Sequence, residues 1–271
     1  MARGVKPGIN RNDVYALQIP LPSLGEQKRI VAILDQAFAA LDRARAHAEA
    51  NLADATELFD ASLREVFTAS AEGKPVNALS DIAVAIVDCE HKTAPITETG
   101  YPSIRTPNVG KGLLKLEAVN RVSESTYREW SRRATPEPGD LIMAREAPAG
   151  NVAVIPEGEK VCLGQRTLLI KVDQELTDPS YLALLLLHPT MQRRLLAKSA
   201  GATVQHVNMK DIRALRLPNL PSLEKQQECA RRANEIRAMA TRVEAATRTK
   251  IHDLNALRQS LLQKAFSGQL T

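Results

Sequence analysis

A repeated segment constrains the fold of this chain more than any other feature of its sequence. Residues 9–20 match residues 207–218 without a gap. After a one-residue shift the match continues through three further pairs, which are Pro22-Ser23-Leu24 with Pro221-Ser222-Leu223, Gln27 with Gln226, and Phe67 with Phe266. Since each copy forms one supersecondary unit, the repeat predicts two similar structures on either side of a middle region.

Each copy of the repeat has the same predicted plan. An Asn-x-x-Asp turn leads into a short apolar strand that ends in proline, and a Pro-Ser-Leu sequence then begins a long helix. Ser23 with Glu26 three residues later fits a capping box, and Gly73 with Pro75 is predicted to end the first helix. At 1.5 Å per residue, a helix of roughly 40 residues is about 60 Å long.

Apolar and small residues recur in both predicted helices at alternating steps of four and three, which is typical of a coiled-coil seam. The first helix has Ile30, Leu34, Ala37, Leu41, Ala44, Ala48, Leu52, Ala55, Phe59, Ser62 and Val66 at these positions. A shift of 199 residues gives Cys229, Ala233, Ile236, Ala240, Val243, Thr247, Ile251, Leu254, Arg258, Leu261 and Ala265.

The two helices also differ in charge. Residues 23–76 carry 6 basic and 9 acidic residues, whereas residues 221–271 carry 9 basic and 5 acidic residues. This difference favours pairing of the two helices with each other over self-pairing. A helical hairpin within an ordinary protein core fits the same pattern.

The middle region, residues 77–220, has short apolar runs, frequent Gly and Pro, and loops rich in Thr, Asn and Glu. Its pattern predicts strands at 103–105, 140–144, 151–155 and 167–172, and a helix at 181–200. We therefore expect an α+β protein, in which a mixed α/β domain is flanked by two long helices.

Composition excludes several classes of protein. The chain is 44% hydrophobic, which allows a buried core, and its net charge of +5 is compatible with a polyanionic partner without requiring one. We find no apolar run long enough for a membrane span and no N-terminal leader, so a cytoplasmic location is expected.

The three cysteines, Cys89, Cys162 and Cys229, have no CxxC spacing and are predicted to be reduced, partly buried thiols.

A catalytic hypothesis must start from Asp88-Cys89-Glu90-His91, which has residue types used by metals and nucleophiles. No second Cys/His pair lies at a ligating spacing, and no residue is recognisable as the group that orients a base. The sequence also lacks a P-loop, a dinucleotide-binding glycine pattern and a methyltransferase motif. We expect no cofactor, no metal and no catalytic activity, with an enzyme that uses this cluster as the alternative.

Several blocks of the sequence resemble the specificity subunits of Type I restriction-modification systems. Residues 19–30 (IPLPSLGEQKRI) are similar to the region that follows each target-recognition domain in that family, and residues 261–270 (LLQKAFSGQL) are similar to its common ending. Residues 88–95, 138–146 and 163–166 resemble recurring blocks of the recognition domain. Together these blocks extend over nearly the whole chain.

The resemblance implies an architecture and a set of partners. Antiparallel conserved helices separate two recognition domains, each of which reads half of a split site in double-stranded DNA, and the helices dock methyltransferase subunits and, through them, restriction subunits. In this chain we expect the tail of a preceding recognition domain at 1–22, conserved helices at 23–76 and 221–271, and one recognition domain at 77–220. With one domain, the chain is expected to work as a homodimer, or else to be a remnant or decoy that binds methyltransferase subunits without directing them.

Twelve residues are candidates for DNA contact. Arg105, Asn108, Arg145, Gln165, Arg166, Gln205 and His206 have side chains that can bond base edges, and Arg132, Arg133, Arg193, Arg194 and Lys198 can bond phosphates. In the alternative interpretation Arg145 and Arg166 pair with Glu146 and other carboxylates as scaffolding, and the basic pairs form a solvated surface. Since residues 77–220 hold 18 basic and 16 acidic residues, any DNA face must arise by segregation of charge.

Overall fold

The computed structural model describes residues 10–17, 21–69, 78–197 and 205–270. The chain divides into two compact units. We call Met1–Ala55 with Thr241–Thr271 the helical unit, and Thr56–Ala240 the mixed unit. In the described ranges no helix is both long enough and apolar enough to cross a lipid bilayer.

Two long helices, α2 (Leu24–Ala69) and α7 (Leu223–Phe266), confirm the predicted helices. All eleven seam positions predicted in α2 are buried or half-buried. The same is true of the seam positions predicted in α7, with the exception of Val243, which is 40% exposed. Each copy of the repeat also has a short helix ahead of the long one, α1 (Arg11–Tyr15) and α6 (Met209–Arg213).

Within the helical unit the two long helices are antiparallel. Residues near the start of α2 and residues near the end of α7 line the same groove. Arg258 of α7 forms an ion pair with Asp42 of α2 at 2.9 Å, and its guanidinium carbon lies 4.4 Å from the ring centroid of Phe38. The pairing predicted from charge is therefore present in this unit.

The mixed unit contains two sheets and several helices. Its strands are β1 (Ala83–Asp88), β2 (Tyr101–Ile104), β3 (Gly112–Leu113), β4 (Arg121–Val122), β5 (Leu141–Ala144), β6 (Val152–Val154), β7 (Cys162–Leu163) and β8 (Thr167–Val172). Its remaining helices are α3 (Glu124–Trp130), α4 (Pro179–Leu187) and α5 (Pro189–Leu196), with single 3-10 turns at Leu79–Asp81 and Thr106–Asn108. The order of strands is β1-β8-β5-β6-β3 in the larger sheet and β4-β2-β7 in the smaller one. All four predicted strands are confirmed to within two residues.

Both faces of the larger sheet are buried, which follows from the two-residue period of a strand. Leu141 and Met143 of β5 face a core formed with α4, α5 and the end of α2, whereas Ile142 and Ala144 face a second core under the smaller sheet. The largest buried side chains, such as Tyr181 and Leu182 of α4, belong to the first core. The end of α2 and the start of α7 are thereby part of the hydrophobic core of the mixed unit.

Three sequence predictions are wrong in detail. The single helix predicted at 181–200 is two helices, because Pro189 cannot continue the hydrogen-bond ladder of α4 and instead starts α5 with His188 as its cap. The Asn-x-x-Asp segments form one-turn helices rather than open turns. The short apolar segment that ends in Pro218, predicted as a strand in the second copy, has no assigned strand, and Pro218 has no N–H to donate to a sheet. Gly73 and Pro75 lie outside the described residues, and α2 ends at Ala69.

Candidate nucleic-acid interface

One edge of the larger sheet collects most of the candidate residues. The register pairs Asp88 with Leu168 and Ala144 with Thr167, so the last residues of β1 and β5 lie beside the first residues of β8. The loops that carry 88–91, 145–146 and 165–166 therefore converge. A backbone bridge between Glu146 and His206 brings a fourth segment to the same edge.

Acidic and basic side chains in these loops form a connected network of ion pairs and hydrogen bonds. Asp88 lies 3.3 Å from His91 and 2.6 Å from Arg145, measured between its Oδ2 and the Nε2 and NH1 atoms. Arg145 also donates to Val207 O at 3.0 Å and lies 3.1 Å from His206 Nε2. His206 Nδ1 lies 2.9 Å from Glu146, which in turn pairs with Arg166.

The two hydrogen-bond partners of His206 set its tautomer. Because a guanidinium can only donate, the Nε2 atom that faces Arg145 accepts a hydrogen bond. The proton of a neutral imidazole is then on Nδ1, where it is donated to Glu146. Each group in the network thus has a partner of complementary role, which holds the loops rigid relative to one another.

An open cavity of about 430 Å³ lies on this edge. It is lined by His91, Arg145, Glu146, Gln165, Arg166 and His206. Arg145 contributes little surface, because its side chain is only 9% exposed, whereas that of Arg166 is 63% exposed. The cavity therefore presents Arg166, Gln165 and His91 at its rim, over a floor supported by Arg145.

Backbone geometry explains how the Leu-Gly-Gln-Arg block positions its side chains. The Gly164 N–H donates to Ile104 O at 2.8 Å, and a Cβ at this glycine would lie 2.8 Å from the same oxygen and 2.6 Å from Arg105 Cγ. Only glycine fits this approach. Arg166 follows with φ +65°, a left-handed conformation that is unfavourable for a residue with a side chain and is often found at functional sites.

Arg132 and Arg133 extend the same edge. Arg133 Nε lies 3.4 Å from Glu90 Oε1, and its NH1 lies 3.4 Å from Cys89 O. Arg132 reaches the same carboxylate at 3.8 Å and is otherwise exposed. The two arginines are thereby attached to the loop that carries His91.

The other candidate residues either lie beside the cavity and its loops or lie on α5, away from the cavity. Asn108 accepts from the Arg105 N–H at 3.0 Å and donates to Lys115 O, so its amide holds a loop, while the Arg105 side chain is exposed beside Gln165. Gln205 is exposed next to His206. Arg193 and Arg194 lie on α5, where they bond Thr190 and Arg216 rather than the cavity loops. Lys198 lies outside the described residues.

The 88–91 cluster is built for support rather than for catalysis. Cys89 is buried, and burial raises the pKa of its thiol, which makes it a poor nucleophile. Burial likewise raises the pKa of Cys162 to about 11. All three cysteines are free thiols, and they are more fully buried than predicted. The described residues contain no group of His, Cys, Asp and Glu that could hold a metal ion.

The sequence analysis did not select His91 or Glu146 for this site. Glu146 connects His206 to Arg166, and His91 is an exposed lining residue. The available signal was their position within the blocks 88–95 and 138–146. Arg145 and Arg166 do pair with carboxylates, but Arg145 pairs with Asp88 and not with its neighbour Glu146.

Comparison with known proteins decides the family. Residues 90–252, more than half of the chain, match the family described as the Type I restriction modification DNA specificity domain. The chain belongs to this family. Membership confirms the predicted family of Type I specificity proteins.

Individual relatives agree with this placement. The chain is 24% identical over 282 aligned residues to the specificity subunit of the Type I restriction enzyme EcoBI from Escherichia coli, across 93% of this chain and 58% of that protein. The chain therefore spans less than two thirds of the length of the curated relative that it matches.

Solved structures show the same fold. A chain from a structure of type I R-M complex assembly and conformational transition has a TM-score of 0.69 at 23% identity, over 97% of this chain and 64% of its own length. The HsdS subunit from Thermoanaerobacter tengcongensis has a TM-score of 0.51 at 23% identity, over 99% and 65%. The Type I S subunit from M. genitalium has a TM-score of 0.51 at 15% identity, over 95% and 65%. The predicted combination of a mixed domain with two long helices is confirmed.

Proposed function

We propose that this specificity chain reads one half of a split duplex DNA target through the open cavity at the edge of the larger sheet. One observation carries the proposal: Arg145 is buried as a support, while Arg166, Gln165 and His91 are displayed at the rim on loops fixed by a charge network. Arginine and glutamine make paired hydrogen bonds to base edges, and their precision depends on rigid support.

Neighbouring residues are proposed to bind the DNA backbone. Arg132 and Arg133 follow α3 and pair with Glu90, next to the rim residue His91. They can contact phosphates, which fixes the register of the protein on the duplex without reading sequence. Arg105 and Gln205 are proposed to contact DNA beside the cavity. Asn108 and Arg145 are proposed to act by holding loops. Arg193 and Arg194, together with Lys198, are proposed as a separate set of phosphate contacts.

We further propose that residues 77–220 act as the recognition domain and that the helices at 23–76 and 221–271 dock methyltransferase subunits and, through them, restriction subunits. The long paired helices support this proposal, because a stiff α-helical pair holds attached domains at a fixed distance. A split target needs a second recognition domain. A homodimer would supply an identical one and read a palindromic target, whereas a different specificity chain would make the target asymmetric.

Methylation mapping tests the proposal. DNA is sequenced for modified bases from cells that express the chain with its cognate methyltransferase subunit, and from cells without the chain. A split motif that disappears without the chain is expected, and its symmetry identifies the source of the second recognition domain. Identical methylation in the two strains contradicts the proposal and is the result expected of a decoy.

A further inference from the structure

A small open pocket of about 20 Å³ lies next to the polar cavity of the mixed unit, and Gln165 lines both. The surface of this pocket is mostly apolar, and its walls include Ala94, Ile96, Ser103, Val122 and Gly164. A volume of this size holds one group as large as a water molecule. The pocket therefore has room for a single methyl group, but not for a ring or a longer side chain.

Strand pairing holds the walls of the methyl-sized pocket in place. Because β2 pairs with β7 in parallel, the residues that follow the two strands, Arg105 and Gly164, lie side by side. The Thr97 N–H donates to Arg121 O at 2.8 Å, which attaches the loop carrying Ile96 to the end of β4. The shape of the pocket thus depends on the register of the smaller sheet and not on one exposed loop alone.

The carboxamide of Gln165 retains unused hydrogen-bonding groups beside this pocket. Its Nε2 atom donates a long bond to His91 O at 3.5 Å, and within the described ranges no donor reaches its Oε1 atom. Since a carboxamide has two N–H groups, one donor and one acceptor are left side by side. Such a pair matches the N7 acceptor and the N6 donor that adenine presents in the major groove.

The major-groove edge of an A·T pair complements both features. Adenine presents N7 and N6, and its partner thymine presents O4 and a C5-methyl group. A G·C pair has two adjacent acceptors on guanine and no methyl group. A carboxamide beside a methyl-sized apolar pocket therefore matches an A·T pair, and it mismatches a G·C pair in two respects.

The position of the pocket favours a base as its occupant. Ile96 is 61% exposed, so its apolar surface stays in contact with water until a ligand covers it. Arg105, which is exposed, lines the same pocket. A cation at the entrance suits a methyl group that is attached to a polyanion, because the same arginine can contact a nearby phosphate.

We infer that Gln165 and the methyl-sized pocket read one A·T pair of the target. In this arrangement the Gln165 carboxamide bonds adenine N7 and N6, and the thymine C5-methyl group enters the pocket beside Ile96. The inference rests on the proposed function, because it assigns a base pair to one side of the cavity that is proposed to read DNA. It makes Ala94 and Ile96, in a loop without candidate DNA contacts, residues that determine specificity.

Replacement of thymine by uracil tests the methyl contact, because uracil differs from thymine only in lacking the C5-methyl group. The target is identified by methylation mapping, or by selection of duplexes that bind the full chain from a random library. Each thymine is then replaced in turn, and affinity for the full chain is measured by fluorescence anisotropy. We expect one position at which uracil weakens binding about fourfold, the value of one buried methyl group.

Two variants assign that position to the pocket. Ile96→Ala removes one wall and should bring the ratio of thymine to uracil affinity close to 1. Ala94→Val should do the same by filling the pocket. Val84→Ala is the matched control and should keep the fourfold ratio, because Val84 is 68% exposed near the start of β1, whereas the cavity lies at the other end of that strand. Since each ratio compares two DNAs on one protein, a loss of folded protein does not change it.

A second substitution in the DNA tests the adenine contact. Replacing the A·T pair by guanine with 5-methylcytosine keeps the methyl group and removes the N6 donor. The parent should bind this DNA about 5- to 150-fold more weakly. Gln165→Ala should bind the two DNAs about equally. Gln174→Ala, an exposed glutamine after β8 where Gln165 precedes it, should keep the preference of the parent.

The outcomes separate this inference from the proposed function. If uracil is tolerated at every thymine, if Ile96→Ala and Ala94→Val leave the uracil effect unchanged, or if Gln165→Ala keeps the preference for adenine, the inference is wrong. The reading of DNA by the chain then still stands, because specific binding has been measured. If neither selection nor methylation mapping yields a target, the proposed function is contradicted, and the inference with it.

Discussion

The two copies of the repeat are locally alike and differ in what surrounds them. Ser23 and Ser222 accept from the N–H three residues later at the same distance, 3.4 Å, and the glutamine-to-proline bond differs by only 0.1 Å between the copies at 2.8 and 2.9 Å. The burial of equivalent side chains nevertheless ranges from nearly complete to slight. Local hydrogen bonds follow the repeated sequence, whereas burial depends on which other part of the chain folds against it.

The largest difference is expected from a charge placed at equivalent positions. Ala230→Asp should lower the free energy of unfolding by about 4 kcal/mol or more, because the carboxylate enters the core without a partner. Val31→Asp should cost less than about 1 kcal/mol, because Val31 is exposed. Urea unfolding measures both, with the fluorescence of Trp130, the single tryptophan, reporting on the mixed unit. Equal effects would remove the distinction between the two sites.

Removing the glutamine that donates to a proline carbonyl in each copy should give a smaller difference in the same direction. Gln226→Ala should cost about 2–4 kcal/mol, because it leaves buried donors and an acceptor unpaired at residues 176–178. Gln27→Ala should cost about 0.5–1.5 kcal/mol, the value of one typical hydrogen bond. Thermal unfolding of both variants provides the test.

DNA affinity should depend on the cavity of the mixed unit and not on the surface of the helical unit. Arg166→Ala is expected to weaken specific binding by about 1–3 kcal/mol, or roughly 5- to 150-fold, because one base-reading side chain is lost. Arg45→Ala in the helical unit is the matched control, since Arg45 is 53% exposed and also pairs with a glutamate. It should leave affinity nearly unchanged. Fluorescence anisotropy with the chain alone, without methyltransferase subunits, measures both variants, so that docking on the helices does not contribute. An equal loss would show that the cavity has no special role.

The smallest expected effect is a pH dependence of stability at the end of α2, where the ring of His188 stacks on Phe67. Burial, with help from Arg193 and Arg64, lowers the pKa of His188 below its usual value of 6.5. The folded state therefore binds fewer protons than the unfolded state as pH falls through 6.5, and stability decreases toward the lower folded pKa with a slope below about 1.4 kcal/mol per pH unit. Protonation also removes the bond that His188 Nδ1 accepts from the Thr190 N–H.

His188→Asn tests this effect, because asparagine can cap α5 but does not titrate. The difference in stability between the parent and the variant should shrink as pH falls from 7 to 5. A difference that is independent of pH would mean that His188 does not titrate in this window. No such pH dependence is expected in the other copy of the repeat, because Phe266, which matches Phe67, is exposed.

Much of the fold was predictable because its signals are periodic and local. The seam positions of α2 and the strand Thr167–Val172 agree with the sequence prediction, since steps of 3.5 and 2 residues fix which side chains share a face. The helix predicted at 181–200 was wrong because one proline outweighed a continuous apolar pattern. The domain boundaries and the DNA contacts remain predictions.

The candidate site was only partly predictable. Sequence alone indicated Arg145, Gln165, Arg166 and His206 as polar residues in loops, but it could not tell that Arg145 is buried and that Arg166 is exposed. That distinction depends on Asp88, which is 57 residues away in the chain and reaches Arg145 only because β1 and β5 both pair with β8. Contacts of this separation arise from strand pairing and leave no local pattern.

By itself, therefore, the sequence determined the repeat, its two helix starts, the heptad seams and the family. These depend on neighbouring residues and on short-range hydrogen bonds that form wherever the same residues recur. Only the tertiary structure decided which copy of the repeat is covered and which arginine faces solvent. Burial is a property of the surfaces that meet in space, so two segments with the same sequence pattern can differ completely in what they bind.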